Sequence, residues 1–179
     1  DEVETVIRRL EELIREHKEK VDRIIKELEK LLRKHEEKVK KVIEELRRLA
    51  KEAADIVRRD GPSEEVVDRL RRRLEEILKD LERHSEDVKR RLREVLKELN
   101  DETKRLKDDL RRTRKDANVR SRDMERLERV IRKVEEDLDR TNREVEEVIR
   151  RVEEEVERLD REAEEVVRDV KEKIDRLKK

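Results

Sequence analysis

The sequence predicts an all-α fold, a long and nearly straight three-helix bundle with antiparallel (up-down-up) helices. Three observations predict it: apolar residues that recur every eighteen positions, only two stretches with loop chemistry, and a remainder made mostly of charged side chains. We expect one domain spanning residues 1–179, with helices at about 2–59, 64–115 and 122–178.

The eighteen-residue repeat is clearest in the first segment. Its apolar residues form three sets with identical internal spacing: Val3, Val6, Ile7, Leu10, Leu13 and Ile14; Val21, Ile24, Ile25, Leu28, Leu31 and Leu32; Val39, Val42, Ile43, Leu46, Leu49 and Ala50. The other two segments keep the same period. Eighteen residues make five turns of a relaxed α-helix, whereas a seven-residue repeat imposes left-handed supercoiling. Each helix should therefore run nearly straight and present one apolar stripe about 120° wide.

Two stretches, DGPS and DANVRS, interrupt the helical pattern. In the first, Gly61 suits the left-handed conformation after a helix end, Pro62 blocks continuation, and Ser63 can cap the next helix. In the second, Asn118 is expected to end a helix and Ser121 to cap the following one. The two stretches divide the chain into three pieces of similar length.

The composition excludes several classes of protein. Charged residues make up 60% of the chain and hydrophobic residues 31%, but the 54 basic and 54 acidic residues balance, and the regular apolar pattern argues against disorder. The sequence has no Cys, Phe, Trp or Tyr. It therefore offers no disulfide framework, no thiol nucleophile and no thiolate metal site.

We expect no enzymatic activity, no cofactor and no metal. The few Ser and Thr residues stand at helix caps or in the apolar stripes, and there is no glycine-rich phosphate loop. Basic residues alternate with acidic ones without aromatic platforms, which argues against nucleic-acid binding. No apolar run approaches the roughly 20 residues that span a bilayer. The sequence predicts a soluble protein, and the first residues contain no targeting signal.

Polar residues inside the apolar stripes are the candidates for a specific role. There are seven of them: His17, His35, His84, Ser85, Thr103, Thr141 and Asn142. In a hairpin that turns near residue 61, His17 should face Thr103, His35 should face Ser85, and the third helix should bring Thr141 to the level of His17. A buried polar group without a partner costs roughly 1 to 3 kcal/mol, so we expect two hydrogen-bonded layers that penalise any slipped alignment.

The histidines allow two further interpretations. A metal site needs three or four converging ligands, but His17 and His35 are about 27 Å apart along one helix, and only His35 and His84 could approach each other. A buried histidine that accepts a hydrogen bond has a lowered pKa and must take up a proton as the medium acidifies. The sequence therefore allows a bundle that is weakened by acid.

Over its full length the chain resembles computationally designed, parametrically generated helical bundles. The resemblance rests on the unbroken repeat, the Leu, Val and Ile core, the Glu, Lys and Arg surface, the DGPS loop and the polar layers. It implies an artificial, recombinant structural scaffold without biological function, whose hydrogen-bond networks provide specificity. Because the three apolar stripes can close on one another, we expect a monomer.

Two alternatives to the monomeric scaffold remain open at this point. The chain could be a component of a designed homo- or hetero-oligomer, in which the polar layers select another copy or a partner helix. It could also be a structural rod similar to spectrin repeats, but that family uses seven-residue patterning and aromatic core residues, and this sequence has neither.

Overall fold

The computed structural model describes residues 2–59, 61, 63–117 and 119–177. They form three α-helices: α1 (Glu2–Arg59), α2 (Glu64–Asp116) and α3 (Ser121–Arg176). Compared with the expected bounds, α2 ends one residue later. Helix α3 begins one residue earlier and ends two residues earlier, with Leu177 in a turn. The described residues contain no β-strand. The prediction of an all-α fold with three long helices that pack against one another is confirmed.

Proximity between Cα atoms divides the chain into two compact units, and each unit contains part of every helix. Unit 1 comprises Asp1–Glu29 and Arg91–Arg151, and unit 2 comprises Lys30–Arg90 and Val152–Lys179. The organisation of residues 1–179 as a single domain stays a prediction.

The direction of the helices in unit 1 follows from cross-helix ion pairs. Four of them define it: Glu27–Arg91 and Lys20–Glu102 between α1 and α2, and Lys107–Asp139 and Arg114–Glu128 between α2 and α3. In each set the residue number rises along one helix as it falls along the other, so α2 runs antiparallel to both neighbours. Exposed ion pairs of this kind contribute at most about 1 kcal/mol each, so the apolar interior must supply most of the stability.

The buried residues follow the eighteen-residue repeat. Leu10, Leu28 and Leu46 occupy equivalent positions of the three repeats in α1, and each is completely buried. In unit 2, Leu46 packs in a cluster with residues of α2 and α3 that include Leu74 and Ile174. Burying a side chain of this size stabilises a protein by roughly 1.5 to 3 kcal/mol. The apolar stripe predicted from the sequence is therefore the face that each helix buries.

The first loop shows how α2 begins. Gly61 has a φ of 71°, in the left-handed region that favours glycine. The Ser63 hydroxyl accepts a hydrogen bond from the Val66 N–H at 3.3 Å, and the Ser63 carbonyl accepts one from the Val67 N–H at 3.1 Å. Ser63 therefore caps α2 as expected. Pro62, which was expected to block continuation of α1, lies outside the described residues.

At the start of α3 the structure differs from the expectation by one residue. The carbonyl of Arg120 accepts hydrogen bonds from the N–H groups of Asp123 and Met124, at 2.9 and 3.0 Å. Because the cap residue is the one whose carbonyl accepts the first helical hydrogen bond, Arg120 takes that position and Ser121 is the first helical residue. Asn118 lies outside the described residues.

We expect Gly61→Ala to lower the free energy of unfolding by about 1–2 kcal/mol. The space around Gly61 would admit a methyl group, since no atom beyond the two adjacent residues comes within 4 Å of the position that a Cβ would take. The cost arises instead from the left-handed backbone, which an L-residue adopts with strain. Chemical denaturation measures the loss. Gly61→Asn is the matched control, because asparagine tolerates this conformation better; equal losses for Ala and Asn would contradict the explanation.

None of the helices in the described part of the chain has an apolar segment long enough to cross a membrane.

Candidate functional site

The seven predicted polar residues all lie away from the exposed surface. Five are buried: His17, His35, Ser85, Thr103 and Thr141. His84 and Asn142 are half-buried. The residues divide between the units, with His35, His84 and Ser85 in unit 2 and the other four in unit 1.

In unit 2, His35, His84 and Asp160 form a hydrogen-bonded chain, here called the triad. His35 is completely buried on α1. Its Nε2 lies 2.9 Å from Oδ1 of Asp160 on α3, and its Nδ1 lies 3.0 Å from Nδ1 of His84 on α2. One buried ring thus connects all three helices of this unit.

The two imidazole rings of the triad meet end to end. Their planes differ by 20° and their centroids are 5.2 Å apart. If the two Nδ1 atoms lie on the line between the ring centres, the centroid separation equals their 3.0 Å distance plus one ring radius at each end. The observed separation is close to that sum. The rings are therefore joined in line through the two nitrogens and do not lie face to face.

The chemistry of the groups fixes where the protons lie. A carboxylate only accepts hydrogen bonds, so Nε2 of His35 carries the proton that faces Asp160. Nδ1 of a neutral His35 is then an acceptor, and His84 must donate its Nδ1–H. The contact of 3.0 Å between the two Nδ1 atoms is therefore a hydrogen bond from His84 to His35.

The surroundings of His84 favour its neutral form. Burial is the main reason that the pKa of His84 lies below its ordinary value, and electrostatic interactions with His35 and Lys38 lower it further. Asp87 and Asp80 act in the opposite direction. Lys38 also donates to Asp80 at 2.5 Å, and this hydrogen bond holds the pKa of that carboxyl below its usual range.

In unit 1 one hydrogen bond between side chains joins two of the predicted residues. The amide Nδ2 of Asn142 on α3 donates to the Thr103 hydroxyl on α2 at 2.8 Å. Thr103 in turn donates to the carbonyl of Leu99 in its own helix at 2.8 Å, and Thr141 donates to the carbonyl of Asp137. Each threonine hydroxyl therefore donates within its own helix. Among the four predicted residues of unit 1, the hydrogen bond across helices is the one from Asn142 to Thr103.

His17 is buried in unit 1 without a hydrogen bond. Neither ring nitrogen has a partner among the described residues, and the same holds for Oδ1 of Asn142. The nearest carboxylate oxygen, Oε1 of Glu102, is 3.9 Å from His17 Nδ1, too far for a hydrogen bond. Burial is the main cause that lowers the pKa of His17. The negative charge of Glu102 and the neighbouring side chain of Asn142 oppose this effect, while Lys20 lowers the pKa further. Burial therefore favours the neutral form of His17, and its ring nitrogens lack well-formed hydrogen bonds.

The partners differ from the expected pairs. Within the described residues, no hydrogen bond joins His17 to Thr103 or His35 to Ser85. His35 contacts His84, the residue before Ser85, and the Ser85 hydroxyl is buried without a partner among the described residues. Adjacent residues of a helix point about 100° apart, so the rotation of α2 about its axis decides which of the two meets His35.

Sequence reasoning did not identify Asp160 and Glu102 as members of these groups. Both are acidic residues among 54, and composition does not distinguish them. The only available signal was position, because Asp160 follows the core residue Leu159 and Glu102 precedes the buried Thr103. Each therefore flanks an apolar stripe at the level of a histidine.

The polar groups lack the ligand sets of common metal and catalytic sites. In the described part of the chain, no group of three or more His, Cys, Asp or Glu residues is placed to hold a metal ion. The triad ends at the half-buried ring of His84, and no hydrogen bond within the described residues links that ring to a hydroxyl nucleophile. The triad joins the three helices of unit 2 by hydrogen bonds.

No protein-family model matches the chain, and no curated protein matches its sequence significantly. Among solved structures, the chain is similar to one described as a computationally designed three helix bundle, with a TM-score of 0.66 and 20% sequence identity. The match covers 99% of this chain and 92% of the other. At this level of identity the likeness concerns the fold, and the chain shares the fold of a three-helix bundle.

Proposed function

We propose that the chain is an artificial structural scaffold without biological activity, in which buried polar side chains fix the alignment of the three helices. The observation that carries the proposal is the triad, since Asp160, His35 and His84 come from three different helices and are joined by hydrogen bonds of 2.9 and 3.0 Å. The similarity in fold to a designed bundle supports the same conclusion.

The apolar core alone would specify alignment weakly. Leu, Val and Ile recur at the same spacing along every helix, so a helix that slips by one turn, about 5.4 Å, again places apolar residues against apolar residues. The triad makes the slipped alignments less stable than the native one. A one-turn slip of α1 would break both hydrogen bonds of His35, and a slip of α2 or α3 would break one of them. Each ring nitrogen left in the apolar interior without a partner costs roughly 1 to 3 kcal/mol.

A chain in which the seven predicted polar residues are made apolar tests this proposal. In this chain, called the apolar variant, the seven residues become apolar residues of similar size: His and Asn to Leu, Thr to Val, and Ser to Ala. We expect one set of amide signals in the NMR spectrum of the parent protein, and several sets or broad signals in the apolar variant, without loss of stability. Seven exposed Lys→Arg substitutions provide the control, which should behave like the parent. A single sharp set of signals from the apolar variant would contradict the proposal.

We also propose that the scaffold is a monomer. Light scattering should then give a mass near 22.1 kDa at all concentrations. A mass that is a multiple of this value would favour the alternative in which the chain is a component of an oligomer.

The buried histidines should make the protein less stable in acid. The unfolded chain protonates its histidines near pH 6.5, whereas the pKa values of His17 and His84 are lowered in the folded protein, mainly by burial. Stability is therefore fully present above about pH 6.5 and is lost as the pH falls below it toward the lower folded-state pKa values. Thermal midpoints measured at about pH 7.5 and about pH 4.5 should reveal the decrease.

A variant with all three histidines replaced by glutamine is the control for this prediction. Protonation of the many carboxylates also affects stability in acid, and this variant retains that contribution alone. We expect a smaller decrease in its midpoint than in the parent. Equal decreases would show that the carboxylates, and not the histidines, cause the loss.

A further inference from the structure

We propose that Nδ1 of His35 and Nδ1 of His84 form a two-coordinate site for a monovalent soft cation such as Ag⁺ or Cu⁺. The metal sites that the sequence argues against are those that need three or four protein ligands. A monovalent ion of this type is satisfied by two nitrogen atoms on opposite sides. The end-to-end placement of the two rings supplies that arrangement.

The required movement is small. With metal–nitrogen distances of about 2.0–2.1 Å, a linear site needs about 4 Å between the two nitrogens. They are now 3.0 Å apart, so the rings must separate by about 1 Å. His84 is half-buried and can move toward solvent. His35 is held in place by Asp160, and this second hydrogen bond fixes its tautomer with Nδ1 free to bind.

The charge of the site selects a monovalent ion. Asp160 is the carboxylate bound to the buried His35, and a single positive charge beside it gives a neutral pair. Lys38 is already paired with Asp80 at 2.5 Å, so it brings little uncompensated charge. A divalent ion would leave a net positive charge near a fully buried ring and would lack its remaining ligands among the described residues.

Binding requires no redox step and no net release of protons. The two imidazoles are neutral before and after binding, and the cation takes the place of the hydrogen bond between them. The proton on Nδ1 of His84 leaves to water, and Nε2 of the same ring takes one up from water. The sequence contains no thiol, and its single thioether, Met124, belongs to unit 1. Stronger soft ligands therefore do not compete within unit 2.

Titration of the full chain with silver nitrate in chloride-free buffer near neutral pH tests the site, followed by calorimetry. We expect one ion per chain, and binding weakened by at least about tenfold in His84→Gln. Asp160→Asn should weaken binding by about 10- to 100-fold, as for other residues that orient a metal-bound histidine. His17→Gln is the matched control: it removes a buried histidine from unit 1 and should bind like the parent.

Nitrogen NMR of the histidine rings provides a second readout. On binding, the Nδ1 resonances of His35 and His84 should shift together, with both Nε2 atoms protonated, while His17 stays unchanged. Circular dichroism confirms that His84→Gln is folded. Absence of binding by the parent chain, equal affinity of a folded His84→Gln variant, or loss of the bound ion in Met124→Leu would overturn the proposal.

Discussion

Replacement of Leu46 by alanine should lower the free energy of unfolding by about 2–5 kcal/mol. Leu46 is completely buried and packs in the apolar cluster of unit 2, against residues of all three helices. The shorter side chain loses its transfer free energy and leaves a cavity, because long helices packed along their length cannot collapse freely around one position. Urea denaturation at neutral pH measures the change.

Val57→Ala is the control for the Leu46 substitution. Val57 lies on the same helix but is 42% exposed. Its truncation should change stability by no more than about 0.5 kcal/mol. Similar losses at the two positions would mean that the repeat does not define the buried face of α1.

His17→Leu should raise the free energy of unfolding by roughly 1 to 3 kcal/mol. The ring of His17 is buried, and both of its nitrogens lack hydrogen-bond partners among the described residues. Leucine removes the cost of taking these nitrogens out of water and keeps most of the volume. Denaturation above about pH 7.5, where the unfolded chain also has neutral histidines, isolates this effect from protonation.

The matched substitution is His35→Leu, which should not stabilise the protein to the same extent. It removes two hydrogen bonds and deprives His84 and Asp160 of their partner. The difference between the two variants measures what satisfied hydrogen bonds contribute. If both variants gain stability equally, the triad contributes no more than an unpaired histidine, and its role in alignment would lose support.

The fold could be predicted because the apolar residues recur at a regular spacing along the chain. Leu10, Leu28 and Leu46 repeat one position of the same face, so each repeat confirms the others, and the three helices follow from two loops. The cap by Ser63 was predictable for a different reason, since a hydroxyl before a helix satisfies nearby N–H groups through local geometry alone. Ser121 was expected to cap α3 for the same reason. The cap is instead the preceding residue, because the carbonyl of Arg120 accepts the first helical hydrogen bonds.

The candidate site was predictable in position but not in pairing. The repeat places His35 and Thr103 in the apolar stripes, and both are buried. Whether His35 meets Ser85 or His84 depends on the rotation of α2, and periodicity does not fix that rotation to within one residue. Asp160 could not be singled out, because it is one of many carboxylates and is identified only by a 2.9 Å contact across helices.

The most direct test of the central claim, that internal polar residues fix the alignment of the helices, is a distance between spin labels in unit 2. The chain has no native cysteine, so labels can be placed at exposed positions of α1 and α2 by Glu37→Cys and Glu82→Cys. We predict one narrow distance in the parent chain, and in the apolar variant a distribution that includes separations altered by slips of about 5.4 Å per turn. The same narrow distance in both chains would contradict the claim.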